Sequence, residues 1–96
     1  MALRIVVPME AAPGKRDELI DLFRTRSPEV RQEPGCEDYE LYQSTERLDQ
    51  LVLLEQWTDA HTLKVHAEVN RRIGMMEKLS SLRIGATPSE RYTTQA

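Results

Sequence analysis

One cysteine, two histidines and a single phenylalanine among 96 residues rule out several kinds of chemistry at once. A lone Cys36 can neither close an intramolecular disulfide nor pair with a second thiol around a metal, so zinc and iron–sulfur sites are not expected. The chain has no Gly-rich phosphate loop. Its Pro-Gly pairs are isolated turn signals, so neither a nucleotide nor a flavin is expected, and the predicted cofactor and metal complement is none. No apolar run approaches the ~20 residues of a membrane span. Thirteen basic and sixteen acidic side chains are interspersed and sum to a net charge of -3, which argues against a nucleic-acid partner. The opening M-A-L-R-I-V-V-P has too short an apolar run for a signal peptide and leads into a strand, so a cytoplasmic location is expected.

What is present fits one small α+β domain over residues 1–96. Leu3 to Met9 reads as a strand, and Pro8, lacking an amide donor, forbids a central position along its whole length. After the Pro13-Gly14-Lys15 turn, Leu19, Leu22, Phe23 and Val30 recur at helical spacing. Ser27-Pro28 predicts a kink or a restart with Ser27 as N-cap, and Glu33-Pro34-Gly35 ends the helix. Strands at Glu37–Ser44 and Gln50–Trp57 flank a short polar connection and should be antiparallel neighbours. Thr58 or Asp59 caps a second helix whose apolar positions are Leu63, Val65, Val69, Ile73, Met76 and Leu79, with a bend at Gly74. A last strand lies within Thr87–Thr94. The order β, α, β, β, α, β predicts a ferredoxin-like four-stranded antiparallel sheet with both helices on one face. Leu51-Val52-Leu53-Leu54 is apolar on both faces, so a homodimer through the uncovered face is expected. A chain this short buries only a little over ~60% of its unfolded surface, which favours the same conclusion.

Two side chains are candidates for chemistry. Trp57 could close the core at a strand end, or stack on an aromatic ligand while its indole N–H donates a hydrogen bond. His66 falls on the inward side of its helix, three residues after Leu63 and three before Val69. It is either a satisfied core histidine or a proton acceptor, for which an ordinary pKa near ~6.5 is suited. Tyr39 and Tyr42 lie on opposite faces of one strand, so only one can face a helix-side pocket; Tyr39, sharing its face with Leu41, is the core residue and Tyr42 the rim or interface residue. Glu55 is an outlying candidate, paired at a dimer contact or exposed at an edge. Met76 is flexible lining. Cys36 has no visible base beside it, and the basic pairs Arg24/Arg26 and Arg71/Arg72 read as solvated helix faces.

Pro13-Gly14-Lys15, Pro34-Gly35-Cys36, Tyr39-Glu40-Leu41-Tyr42, Glu55-x-Trp57 and His66 nine residues beyond the Trp together resemble the antibiotic biosynthesis monooxygenase family. That resemblance implies a dimeric α/β barrel and, for some members, oxidation of quinols or polycyclic phenols without metal or flavin. Carried onto this chain, it makes His66 and Trp57 catalytic and Trp57, Tyr39, Tyr42 and Met76 substrate-binding, with a small aromatic or quinol-like partner. Two departures stand out. Arg4 to Met9 contains no Asn of the kind that the haem-degrading branch uses, and V-N-R-R-I follows His66 where many relatives carry an aromatic residue. The competing readings are an isomerase of a small phosphorylated signal molecule, anchored by Arg71 or Arg72, and a ligand-binding dimer without turnover.

Overall fold

The computed structural model describes residues 1–85 and 88–95. Its elements are β1 (Ala2–Glu10), α1 (Arg16–Val30), β2 (Cys36–Gln43), β3 (Gln50–Trp57), α2 (Ala60–Arg72), α3 (Met75–Ser80) and β4 (Glu90–Thr94). The strands form one antiparallel sheet in the order β2-β3-β1-β4, with the helices on one side, as the ferredoxin-like reading expects. Of the expected last strand, Thr87 lies outside the described residues.

Alternation along the strands decides what reaches the helices. On β3, Leu51, Leu53, Glu55 and Trp57 are buried while Val52, Leu54 and Gln56 are only half-buried. Leu19, Phe23 and Val30 of α1 pack onto that buried face, beside Ile5, Met9 and Tyr39. The outer face carries a short apolar strip, with Val6 opposite Leu54 and Pro8 opposite Val52. At one end the strip is bordered by Arg4, which donates to Asp38 at 2.9 Å and to Gln56 at 2.7 Å.

Pro8 sits where its missing amide costs nothing. The Ala12 amide donates to Leu82 O and the Glu10 carbonyl accepts from Ile84 N, so the even-numbered positions here turn their backbone groups away from β3. Pro8 shares that parity. β4, the strand on that flank, pairs with β1 only from Ala2 to Val6. Among the described residues β1 is therefore internal for its first half and paired with β3 alone at Pro8, in keeping with the sequence expectation.

Two expectations about the helices are corrected. α1 runs unbroken through Pro28, and Ser27 is a buried helical residue whose carbonyl accepts from the Arg31 amide, not a cap. Pro28 gives up only its own amide bond to the Arg24 carbonyl, and α1 continues just two residues beyond it. Second, Gly74 does more than bend the later helix: its left-handed φ of 70° ends α2 and starts α3. Ile73 and Met76, either side of this break, are exposed, and so is Val65, which lies off the α2 face that carries Leu63, His66 and Asn70.

Asp59 is the cap of α2. Its side chain accepts from the Thr62 amide at 2.9 Å while Thr62 reciprocates toward the Asp59 amide. Gly35 presses on that box: with φ at 80°, a Cβ there would lie 2.4 Å from Thr62 Cβ. Only glycine fits, and this contact brings the turn after Glu33 against the helix that carries His66.

Candidate functional site

Between the helix side of the sheet and helices α2 and α3 lies a cavity of about 340 Å³. Its walls are apolar, from Ile5, Val7, Leu53, Phe23, Leu63 and Met75, with Tyr39 also exposed to it. Glu55, His66 and Asn70 supply polar groups, and Met76, Arg83, Ser89 and Arg91 complete the lining. Met76 and Arg91 are exposed, so they stand at the mouth.

His66, 4% exposed, belongs to a closed ring of four side chains. Its Nδ1 is 2.8 Å from Glu33 Oε1, and Glu33 Oε2 accepts from Arg26 Nη2 at 2.9 Å. The same Nη2 donates to Asn70 Oδ1 at 3.2 Å, and Asn70 Nδ2 lies 3.1 Å from His66 Nε2. These contacts fix the proton positions. Arg26 has only donors, so the Asn70 oxygen faces it and the Asn70 amide nitrogen faces His66. Nε2 must then accept, and Nδ1–H donates to the Glu33 carboxylate. The ring is the neutral Nδ1–H tautomer, with its Nε2 lone pair toward Asn70 and Glu55, both of which line the cavity, and its Nδ1 toward Glu33, which does not.

Behind the imidazole stands Trp57. The two rings have centroids 4.5 Å apart at 32°, and the indole N–H donates to Glu55 Oε1 at 2.9 Å. That same oxygen is 3.8 Å from His66 Nε2. Burial pushes the Glu55 carboxyl above its ordinary pKa, against the opposing pull of the Trp57 hydrogen bond and of His66. Tyr39 meets His66 edge-on with centroids 5.7 Å apart, and burial, then the Glu55 charge, push its phenol up as well. Imidazole, carboxyl and phenol are thus held together against an apolar cavity, a setting in which one group can take a proton and its neighbours can stabilise the resulting charge.

A family model for antibiotic biosynthesis monooxygenase matches residues 2–69, from β1 to just beyond His66. The chain belongs to the antibiotic biosynthesis monooxygenase family. Solved structures of similar fold cover nearly the whole chain. A conserved protein from Methanosarcina mazei superposes with a TM-score of 0.89 at 28% identity, covering 99% of this chain and 94% of its own. A Mycobacterium tuberculosis protein gives 0.88 at 20% identity, with 100% and 97% covered. SnoaB from Streptomyces nogalater, a cofactor-independent oxygenase, gives 0.83 at 15% identity, with 99% and 94% covered. No curated protein gives a significant match.

Within this family member, the residues singled out from the sequence separate into those brought to the cavity and those held away from it. His66, Tyr39 and Met76 line it. Trp57 does not: it is fully buried behind His66, so its contact is with the imidazole and Glu55. Tyr42 is on the opposite sheet face, 45% exposed and donating to Glu40, because an odd separation from Tyr39 turns it outward. Glu55 lies neither at an edge nor on the outer face but is 7% exposed on the helix side of an internal strand. Arg71 and Arg72 face solvent and pair with Glu68. Burial raises the Cys36 thiol pKa, with Glu33 adding to the effect, which keeps it protonated and unreactive.

Arg26, Glu33 and Asn70 complete the ring around His66, a role the sequence reading did not give them. A signal for each exists. Arg26 sits three residues after Phe23 and four before Val30, in the middle of the apolar stripe, so a charge there must be buried and partnered. Asn70 is one helical turn beyond His66 on the same face. Glu33 has only its place in a helix-ending turn, and nothing local marks it.

Proposed function

We propose that the protein is a cofactor-independent monooxygenase that oxidises a quinol or phenol with dioxygen, His66 acting as the proton acceptor. The observation that carries this reading is the tautomer: Nδ1–H is committed to Glu33, leaving Nε2 as the basic atom on the cavity side. A substrate hydroxyl entering beside Asn70 gives its proton to Nε2. The imidazolium so formed keeps its Nδ1–H on the Glu33 carboxylate at 2.8 Å, with Glu55 3.8 Å from its Nε2. The substrate anion is then electron-rich enough to reduce dioxygen. One oxygen atom ends in the product, the other leaves as water, and the substrate gives up two hydrogens in exchange. Asn70, freed from Nε2, can donate to the substrate oxygen as its negative charge develops. Trp57 acts here as a positioning residue for His66 and Glu55. The description of SnoaB as a cofactor-independent oxygenase supports the reading at the level of the family.

Oxygen uptake with a panel of reduced quinones and hydroxynaphthalenes tests it. His66→Ala should lower turnover ~10²-fold or more while the protein stays folded by thermal melt. Full turnover in a well-folded His66→Ala protein removes His66 as the base, and binding without oxygen uptake by the wild type favours a non-catalytic ligand-binding protein. The isomerase alternative draws no support from Arg71 or Arg72, both solvent-facing and away from the cavity.

The working unit in this proposal is a homodimer joined through the outer sheet face, where Val6, Pro8, Val52 and Leu54 form the apolar strip. A stable pairing should bury more than ~1,200 Å² in total. Sedimentation should give a dimer at micromolar concentration and a dissociated Leu54→Arg variant; a wild-type monomer overturns this part alone.

A further inference from the structure

Charge at the two ends of the cavity is unequal. At the inner end Arg26 is matched by Glu33, and His66 by Glu33 and Asn70. Toward the mouth, Arg83 and Arg91 line the same cavity, and among the described residues neither has a carboxylate partner. The Nε atoms of both Arg26 and Arg83 are buried without a hydrogen-bond partner among the described residues, so the difference between the two ends lies in the carboxylates, which Arg26 has and Arg83 and Arg91 lack. Arg91 stands opposite Ile5 in the β1–β4 register, which turns it toward the helices, whereas its neighbour Glu90 stands opposite Val6 on the outer face and accepts from the Tyr92 hydroxyl. Glu55 is the one carboxyl in the lining, and burial favours its neutral form.

Two guanidinium groups without a carboxylate partner among the described residues, on an apolar cavity, call for an anion with an apolar body. We infer that the ligand of this cavity is an aromatic carboxylic acid, its ring between Phe23, Tyr39 and the sheet and its carboxylate held at the mouth by Arg83 and Arg91. A guanidinium presents paired N–H donors that match the two oxygens of a planar carboxylate, and both arginines line the cavity. With the acid group outward, a ring hydroxyl points inward to His66, so the two arginines set the orientation that the proposed proton transfer needs. This inference rests on the cavity being the ligand site, and deepens that reading by naming the substrate class. A volume of about 340 Å³ is at the small end for ligand pockets and favours a compact ring system over an extended polycycle.

Calorimetric titration of the full chain at neutral pH with two matched probes, 6-hydroxy-2-naphthoate and 2-naphthol, tests it. The acid should bind about 10-fold tighter or better, as expected for charge-assisted hydrogen bonds. Arg83→Gln and Arg91→Gln should each remove most of that preference and leave 2-naphthol unchanged. Should Arg83→Gln fail to fold, Arg91→Gln and a rise in NaCl from about 50 to about 500 mM on the wild type read the same preference, since salt weakens only the charged contact. Equal binding of both probes, or a preference untouched by Arg91→Gln and by salt, overturns the inference while leaving the cavity as the ligand site. Binding of neither probe overturns both.

Discussion

The two faces of α2 carry the same kinds of charged partnership in opposite surroundings. Outward, Glu68 pairs with Arg71 and Arg72 in full solvent. Inward, His66 and Asn70 join Arg26 and Glu33 in a ring in which Arg26 and His66 are buried and Glu33 and Asn70 half-buried. Solvent access decides what each contact is worth. Arg71 holds the Glu68 carboxyl below its ordinary pKa, while burial drives the Glu55 carboxyl above it, so one residue type responds in opposite directions on the two sides. Outer-face charges are hydrated whether or not they meet, and breaking such a pair returns each partner to water. Removing one member of the inner ring strands another where water cannot replace it.

The largest break in this contrast should come from Arg26→Ala. Arg26 alone ties Glu33 to Asn70, and its loss leaves a carboxylate without its cation and an amide without its orienting donor. The expected cost is about 3–5 kcal/mol, a fall in Tm of more than about 10 °C for a domain this size, with turnover lost even in the fraction that remains folded. A melt within a few degrees of wild type would mean that the ring is ornamental.

Glu55→Gln sharpens the comparison with a smaller effect and a defined pH signature. The folded carboxyl holds its proton to higher pH than the unfolded one, so Glu55 supports the fold most fully below the ordinary carboxylate pKa, and that support is lost as pH rises through the raised value. Glutamine keeps an acceptor for the Trp57 N–H but has no charge to desolvate. Its Tm relative to wild type should therefore climb with pH across this window and then level off. A difference that shrinks with pH would instead make ionised Glu55 a stabilising partner of His66. At the bottom of the scale, Glu68→Ala should leave Tm and its salt dependence indistinguishable from wild type, measured in the same melts.

These partnerships also mark how far the sequence could be read. Strand alternation and helical spacing were enough for the sheet, for an inward His66 and for the division between Tyr39 and Tyr42, because each depends on a period along the chain. The ring was not legible as a whole. Arg24 and Arg26 look alike as a basic pair, yet Arg24 is exposed and bonds Asp21 while Arg26, two positions on, points into the core. Trp57 suggested a stacking surface from its chemistry alone, but whether ligand or imidazole takes its face depends on how deeply the strand end is covered. Glu33 reaches His66 across 33 positions only because Gly35 lets the turn close on Thr62, a contact that no local pattern encodes.

Pro8 has a consequence for how an opening in this fold can be tolerated. Among the described residues, nothing pairs with the flank of β1 between Val6, which meets Glu90, and Glu10, which meets Ile84, and the cavity-lining residues Val7, Met9, Arg83, Ser89 and Arg91 surround that interval. An ordinary residue at position 8 would present a free amide and carbonyl there, the start of a template on which another chain could add a strand. Proline presents no donor, so the interval is a poor seed for aggregation. At the one position where β1 passes the cavity between its two flanking contacts, the backbone thus offers a neighbouring molecule no amide hydrogen to accept.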